Sequence, residues 1–165
     1  MTNGYVESMV QEAMQMIKNG VQTHKILTHL TKAAETIVGG DAASSILVLD
    51  KNGLLRNGAS PKLPKDYLAA IDGLKPDANI GTCAAAAATG SMIVTLDFHA
   101  DDKWAELRHL PLALGFLGAW SLPIKDPDGK VLGTFGTYLR EKREPSQAEI
   151  NGVQQLALAA AKALN

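Results

Sequence analysis

The sequence predicts an α+β fold built on an antiparallel sheet. Two strand pairs are each joined by a tight polar turn, Asp50–Gly53 in the first pair and Asp126–Gly129 in the second. Both chain ends carry apolar residues at helical spacing. Hairpins produce antiparallel pairing, whereas a doubly wound α/β fold needs parallel strands joined by crossovers.

Composition indicates one ordinary globular domain. The chain has 165 residues, a formal net charge of −1 and a single cysteine, Cys83. No block of Lys and Arg suggests nucleic acid, and no apolar run reaches the length that a membrane span requires. A lone cysteine excludes an internal disulfide and a cysteine-rich metal site. We therefore expect a cytoplasmic protein with no nucleic-acid or membrane partner.

Glycines mark the ends of the two helices predicted in the first half of the chain. An apolar stripe predicts an N-terminal helix over residues 4–19 that stops at Asn19-Gly20, and a second helix runs from Thr23 to Gly39-Gly40. The apolar run Ser45–Leu49 predicts a central strand. Residues 54–58 should pair back onto it as a hairpin.

The middle of the chain predicts short helices. Pro64 suits the first turn of one that stops at Gly73. Five alanines, Ala84–Ala88, predict another, with Thr82 as its cap and Gly90 at its end. A strand over residues 92–96 follows. Next comes a short helix around Trp104, capped by Asp101 or Asp102, and we expect Pro111 to interrupt it.

The last third predicts a long hairpin and a final helix. Strands are expected over 116–125 and 130–139, and in the second strand Phe135 and Tyr138 point to opposite faces. Ser146 and Glu149 form a capping box that begins the final helix. The terminal helices should cover one face of the sheet and the middle helices should roof the other, with a cavity beneath them.

Several motifs together resemble the GAF domain family. They are Leu63-Pro64-x-x-Tyr67, Ile71-Asp72-Gly73-Leu74, Gly81-Thr82-Cys83, Trp104 and the hairpin from Ala119 to Phe135. The resemblance implies a single domain over residues 1–165 with five or six antiparallel strands and a small-molecule pocket under the middle helices. It also implies a homodimer formed through terminal helices, the helix over 4–19 included.

Stand-alone members of this family include bacterial nitrate receptors that report to a two-component sensor kinase. In those proteins, backbone N–H groups at the start of the equivalent helix hold the anion. The resemblance therefore implies a small-anion ligand and a sensor kinase partner. The ligand-binding residues that we assign on this basis are Thr82, Cys83 and Ala84 at the helix start, Ile80 and Leu96 as apolar walls, Phe116 at the floor, and Trp120 as an indole donor.

Two other functions remain open at this stage. Some stand-alone GAF proteins reduce free methionine sulfoxide, and Cys83 could serve as the nucleophile, although the chain has no second cysteine to resolve it. The domain could also be an interaction module with a vestigial pocket. The sequence shows no acid–base pair or nucleophile–base motif, so we expect no catalytic residue, no metal and no cofactor.

Overall fold

Helices pack on both faces of one five-stranded antiparallel sheet in the computed structural model, which describes residues 2–165. The helices are α1 (Thr2–Lys18), α2 (Thr23–Val38), α3 (Lys65–Ile71), α4 (Cys83–Thr89), α5 (His109–Ala113) and α6 (Gln147–Leu164). The strands are β1 (Ala43–Leu49), β2 (Leu55–Ala59), β3 (Ile93–Thr95), β4 (Gly118–Lys125) and β5 (Val131–Leu139), in the spatial order β2-β1-β5-β4-β3. The predicted α+β class is confirmed.

The two faces of the sheet bury different sets of side chains. On one face, Ile46, Trp120 and Phe135 pack in a core with the buried residues of α1, α2 and α6. On the other face, Leu47 and Tyr138 pack with α3, α4 and the chain around α5. The predicted alternation in β5 is therefore correct, and the terminal and middle helices cover opposite faces as expected.

Glycines in β5 allow other chain segments to approach the strand closely. A Cβ at Gly133 would lie 2.2 Å from the carbonyl oxygen of Leu47 in β1. A Cβ at Gly136 would lie 2.8 Å from Cys83 Sγ in α4. Glycine usually weakens a strand, but here it permits contacts that any side chain would block.

Two local predictions in the middle segment are wrong. Pro111 does not interrupt a helix, because it lies near the start of α5, where a missing N–H is tolerated. Thr82 does not cap α4 with its side chain, because its hydroxyl bonds to Thr95 and Trp104 instead. Asp101 does cap the short 3₁₀ helix Asp102–Trp104, as predicted. Among the helices of residues 2–165, none combines the length and apolar character needed to cross a bilayer.

A charged capping network fixes the start of α6. Ser146 Oγ accepts from the Glu149 N–H at 3.1 Å, and Glu149 Oε1 accepts from the Ser146 N–H at 2.8 Å. Arg143 donates to both Glu149 oxygens, at 2.7 and 2.9 Å. Burial acts to raise the pKa of Glu149, but Arg143 and the Ser146 N–H outweigh burial and hold the pKa below its usual value.

This network predicts a pH-dependent contribution to stability. Since the folded-state pKa of Glu149 lies below the unfolded value of 4.5, its stabilising effect is complete above that pH and is lost as the pH falls through the folded-state pKa. We expect Glu149→Gln to lower the free energy of unfolding by about 1–2 kcal/mol at neutral pH, with the deficit shrinking in acid. Urea unfolding as a function of pH measures this, with the exposed Glu144→Gln as control. A deficit that is constant down to pH 3 would contradict the assignment.

Candidate functional site

A small cavity lies between α4 and the sheet, on the face opposite the terminal helices. Its volume is about 20 Å³, which is close to the space that one water molecule occupies. It is lined by Leu47, Ile71, Leu74, Gly81, Thr82, Cys83, Ala84, Trp104, Leu107 and Tyr138. None of these side chains is charged, so the wall is largely apolar with a few neutral polar groups.

The start of α4 is fastened to its surroundings by a buried hydroxyl network. The hydroxyls of Thr82 and Thr95 share a hydrogen bond of 2.8 Å, which joins α4 to β3. The indole N–H of Trp104 donates to Thr82 Oγ1 at 2.9 Å and to Thr95 Oγ1 at 3.2 Å. The Gly81 N–H donates to the Lys103 carbonyl at 2.8 Å. The hydroxyl of Thr82 therefore already has its hydrogen-bond partners within the protein.

Two hydrogen-bonded tyrosines lie beside the cavity, and one of them, Tyr138, lines it. Tyr67 OH, from α3, donates to Tyr138 OH in β5 at 2.7 Å, and their rings meet edge to face. Burial is the main cause that raises the pKa of both phenols, so both are neutral at physiological pH. The rings of Phe116 and Tyr138 are tilted by 44° with 5.4 Å between their centroids, and the Arg140 guanidinium lies 4.4 Å from the centroid of the Phe116 ring.

The Cys83 thiol faces the sheet at the first residue of α4. Sγ lies against the backbone of Gly136, near the hydroxyls of Ser121 and Thr134. Burial raises the pKa of the thiol, and the two hydroxyls only partly offset that effect. A protonated, enclosed thiol is a poor nucleophile.

The structure brings together three of the seven residues predicted to bind ligand. Thr82, Cys83 and Ala84 line the cavity. Ile80 lies beside it with 36% of its surface exposed, in a depression that shares Leu74 and Leu107 with the cavity wall. Surface depression and buried cavity therefore meet at these two leucines.

The other predicted residues lie elsewhere. Leu96 is 48% exposed and does not line the cavity. Phe116 is buried on the cavity face but contributes to the core next to Tyr138. Trp120 lies on the opposite face, in the core formed with the terminal helices, because neighbouring residues of a strand alternate between faces. Its indole N–H therefore does not line the cavity.

Several lining residues were absent from the sequence-based assignment. Trp104 was recognised as a motif residue without a role, although its indole organises the start of α4. Tyr138 could have been placed here, because the alternation in β5 puts it opposite Phe135. The apolar lining residues Leu47, Ile71 and Leu107 carry no sequence signal that separates a cavity wall from an ordinary core.

Comparison with known proteins identifies relatives of the whole fold. The model of the GAF domain family matches residues 22–165. A methyl sulfide methyltransferase-associated sensor from Methanosarcina acetivorans is 31% identical over 151 residues, which cover 92% of this chain. The chain spans only 15% of the length of that relative.

Solved structures agree with the fold at lower identity. The GAF domain of the Acinetobacter phosphoenolpyruvate-protein phosphotransferase matches with a TM-score of 0.76 and 16% identity, over 99% of this chain and 92% of that one. The reduced form of fRMsr from Staphylococcus aureus matches with a TM-score of 0.74 and 14% identity, over 97% and 95% of the two chains. At these identities the likeness shows the fold alone.

The environment of Cys83 predicts low thiol reactivity in the native protein. At about pH 8 we expect iodoacetamide to alkylate native Cys83 more than about ten-fold more slowly than Cys83 in urea-unfolded protein, because burial disfavours the thiolate. Mass spectrometry over a time course measures both rates on the same single cysteine. A native rate that equals or exceeds the unfolded rate would indicate an activated thiol and favour an enzymatic role.

Proposed function

The chain belongs to the GAF domain family, and on that premise we propose that it is a cytoplasmic sensory domain. In this proposal a small ligand occupies the cavity beneath α4, and the response passes to a separate partner protein. The observation that carries the proposal is an uncharged cavity bounded by Thr82, Cys83 and Ala84, which shares Leu74 and Leu107 with a neighbouring surface depression. The similarity to part of a protein named as a sensor supports the same function.

Ligand binding in this proposal requires α4 to move away from the sheet. The cavity of about 20 Å³ has room for about one water molecule, so it is too small for nitrate. The residues of α4 that pack inward, Ala84–Ala87, are all alanines, and a methyl group makes far fewer contacts than a leucine side chain. The packing lost when these alanines leave the sheet is therefore smaller than for an ordinary amphipathic helix, whereas the helix start is held by the hydrogen bonds of Thr82.

Movement of α4 has a physical route to the terminal helices. The helix packs on β4 and β5, and α6 packs on the opposite face of the same two strands. Between them lie the tightly packed side chains of Trp120, Leu122 and Phe135, which transmit a shift rather than absorb it. We propose that α1 and α6 carry the signal to a second copy and to a partner such as a sensor kinase.

Nitrate is the ligand that we propose first. The early N–H groups of a helix have no partner within the helix, and a singly charged, weakly hydrated anion loses less on leaving water than phosphate does. The absence of a charged side chain among the lining residues disfavours a multiply charged ligand. A neutral ligand of similar size is the second candidate, because the cavity wall is mostly apolar.

We propose no catalytic role for Cys83. The raised pKa of the thiol opposes nucleophilic chemistry, and the sequence contains no second cysteine with which it could form a disulfide. The likeness to fRMsr extends to the fold only. A vestigial pocket in a pure interaction module is the remaining alternative, and ligand titration separates it from the sensor.

Filling the cavity should weaken ligand binding without unfolding the domain. We expect calorimetry to give a dissociation constant for nitrate below millimolar and no comparable binding of phosphate. Ala84→Val adds two methyl groups to the cavity wall and should weaken nitrate binding by about ten-fold or more, since it occupies the space that the ligand needs. Ala88→Val makes the same change on the exposed side of α4 and is the matched control.

Two results would count against this assignment. If wild-type protein does not bind nitrate below millimolar concentration, nitrate is not the ligand. If Ala88→Val weakens binding as much as Ala84→Val, the effect comes from helix propensity and not from the cavity.

Self-association of the terminal helices is the second part of the proposal that an experiment can test. Leu158 on α6 is 65% exposed and borders an apolar surface groove of about 400 Å³ that also contains Met92. We expect sedimentation velocity to show a homodimer at micromolar concentration, and Leu158→Glu to shift it to monomer because a carboxylate is costly to bury. Gln155→Glu adds the same charge to an exposed position on α6 and controls for the charge alone. A wild-type monomer would rule out this interface.

A further inference from the structure

Two hydroxyls on the cavity face of the sheet are buried without a hydrogen-bond partner. Within residues 2–165, neither Ser121 Oγ nor Thr134 Oγ1 has one, and both residues are fully buried. Ser121 in β4 is the cross-strand partner of Gly136, and Thr134 lies two residues before Gly136 in β5. A buried polar group without a partner destabilises a fold, and alanine or valine would avoid that cost at these positions.

The Cys83 thiol completes a group of three neutral polar side chains. A Cβ built on Gly136 would lie 2.8 Å from Cys83 Sγ, so only glycine lets the thiol come this close to the strand, and Ser121 Oγ lies beside the same position at 3.8 Å. The hydroxyls of Ser121 and Thr134 also act as hydrogen-bonding neighbours that lower the pKa of the thiol, although neither reaches full hydrogen-bond geometry with the sulfur. We call Cys83, Ser121 and Thr134 the polar floor.

The polar floor and the apolar cavity meet at Cys83. This residue lines the cavity, which neither hydroxyl does, and its thiol also lies against Gly136. An outward shift of α4, the movement that ligand binding requires, carries the thiol away from Gly136. The cavity then opens onto the hydroxyls.

We propose that the polar floor binds the oxygen atoms of a small ligand whose remaining surface contacts the apolar cavity wall. This inference rests on the proposed function, and it specifies which groups hold the ligand. The donors are two O–H groups and one S–H group, all uncharged, so they suit a compact molecule with acceptor oxygens and at most one negative charge. Nitrate and neutral nitro compounds share this chemistry, because both present planar N–O acceptors.

The chain offers a matched control for this assignment on the other face of β5. Thr137 also has a buried hydroxyl without a partner among the described residues, but it faces the terminal helices. Thr134→Val and Thr137→Val make the same chemical change three residues apart on one strand. They differ in whether the lost hydroxyl belongs to the polar floor.

The experiment compares wild type, Ser121→Ala, Thr134→Val and Thr137→Val. For each protein, the melting temperature is measured without ligand, and the affinities for sodium nitrate and for nitromethane are measured by calorimetry. Nitromethane has nearly the size and shape of nitrate without its charge. All three variants should melt about 2–4 °C higher than wild type without ligand, because an unpartnered buried hydroxyl has been removed.

Binding should separate the variants. Ser121→Ala and Thr134→Val should bind the ligand at least about ten-fold more weakly than wild type, as expected for one lost hydrogen bond, while Thr137→Val stays within about two-fold. Preference of the wild type for nitrate over nitromethane indicates an anion site, and the reverse preference indicates a neutral ligand.

Three outcomes would overturn the inference, and they differ from one another. If Ser121→Ala and Thr134→Val bind the ligand as tightly as wild type, the polar floor does not hold the ligand. The proposed sensory function is unaffected by that result. A fall in the melting temperature of those two variants without ligand shows that the hydroxyls are paired in the fold. Failure of wild-type protein to bind either compound overturns both the inference and the proposed ligand class.

Discussion

The close packing of α4 on the sheet is the contact on which the candidate site depends. The two layers approach closely because the residues that meet there have small side chains or none. The helix presents alanines, and β5 presents Gly136, where a Cβ would collide with the Cys83 thiol. A larger residue on either side would separate the layers, and the cavity would no longer be enclosed. The same smallness makes the contact weak, which is what a helix that moves on ligand binding requires.

The opposite face of the sheet packs against the terminal helices through a separate hydrophobic core. Bulky side chains such as Trp120 and Phe135 fill the space under α2 and α6, and the start of α6 is held by Ser146, Glu149 and Arg143. Both faces thus carry buried cores, and the small side chains on the cavity face are confined to the contact between α4 and β5. In the proposed function, a shift of α4 would pass through these shared strands to the terminal helices.

The polar groups around α4 fall into two classes with different consequences. The hydroxyls of Thr82 and Thr95 and the indole of Trp104 bond to one another, so they hold the helix start in place. Ser121 and Thr134 have no such partners among the described residues. Satisfied networks stabilise a structure, whereas each unsatisfied buried group calls for an explanation, and for Ser121 and Thr134 the explanation that we propose is a ligand.

The sequence alone determined the element order, the antiparallel hairpins, the separation of terminal and middle helices and the capping box of α6. These features depend on local rules: turn residues, the two side-chain periodicities and helix-end chemistry. Only the tertiary structure decided which groups surround the cavity. Trp120 was expected there as a donor, and strand alternation places it on the other face. Thr82 was expected as a helix cap, and a partner 22 residues away in sequence, Trp104, takes its hydroxyl instead. Ser121 and Thr134 stand out only when their missing partners are seen, because pairing between side chains from distant segments has no local sequence signal.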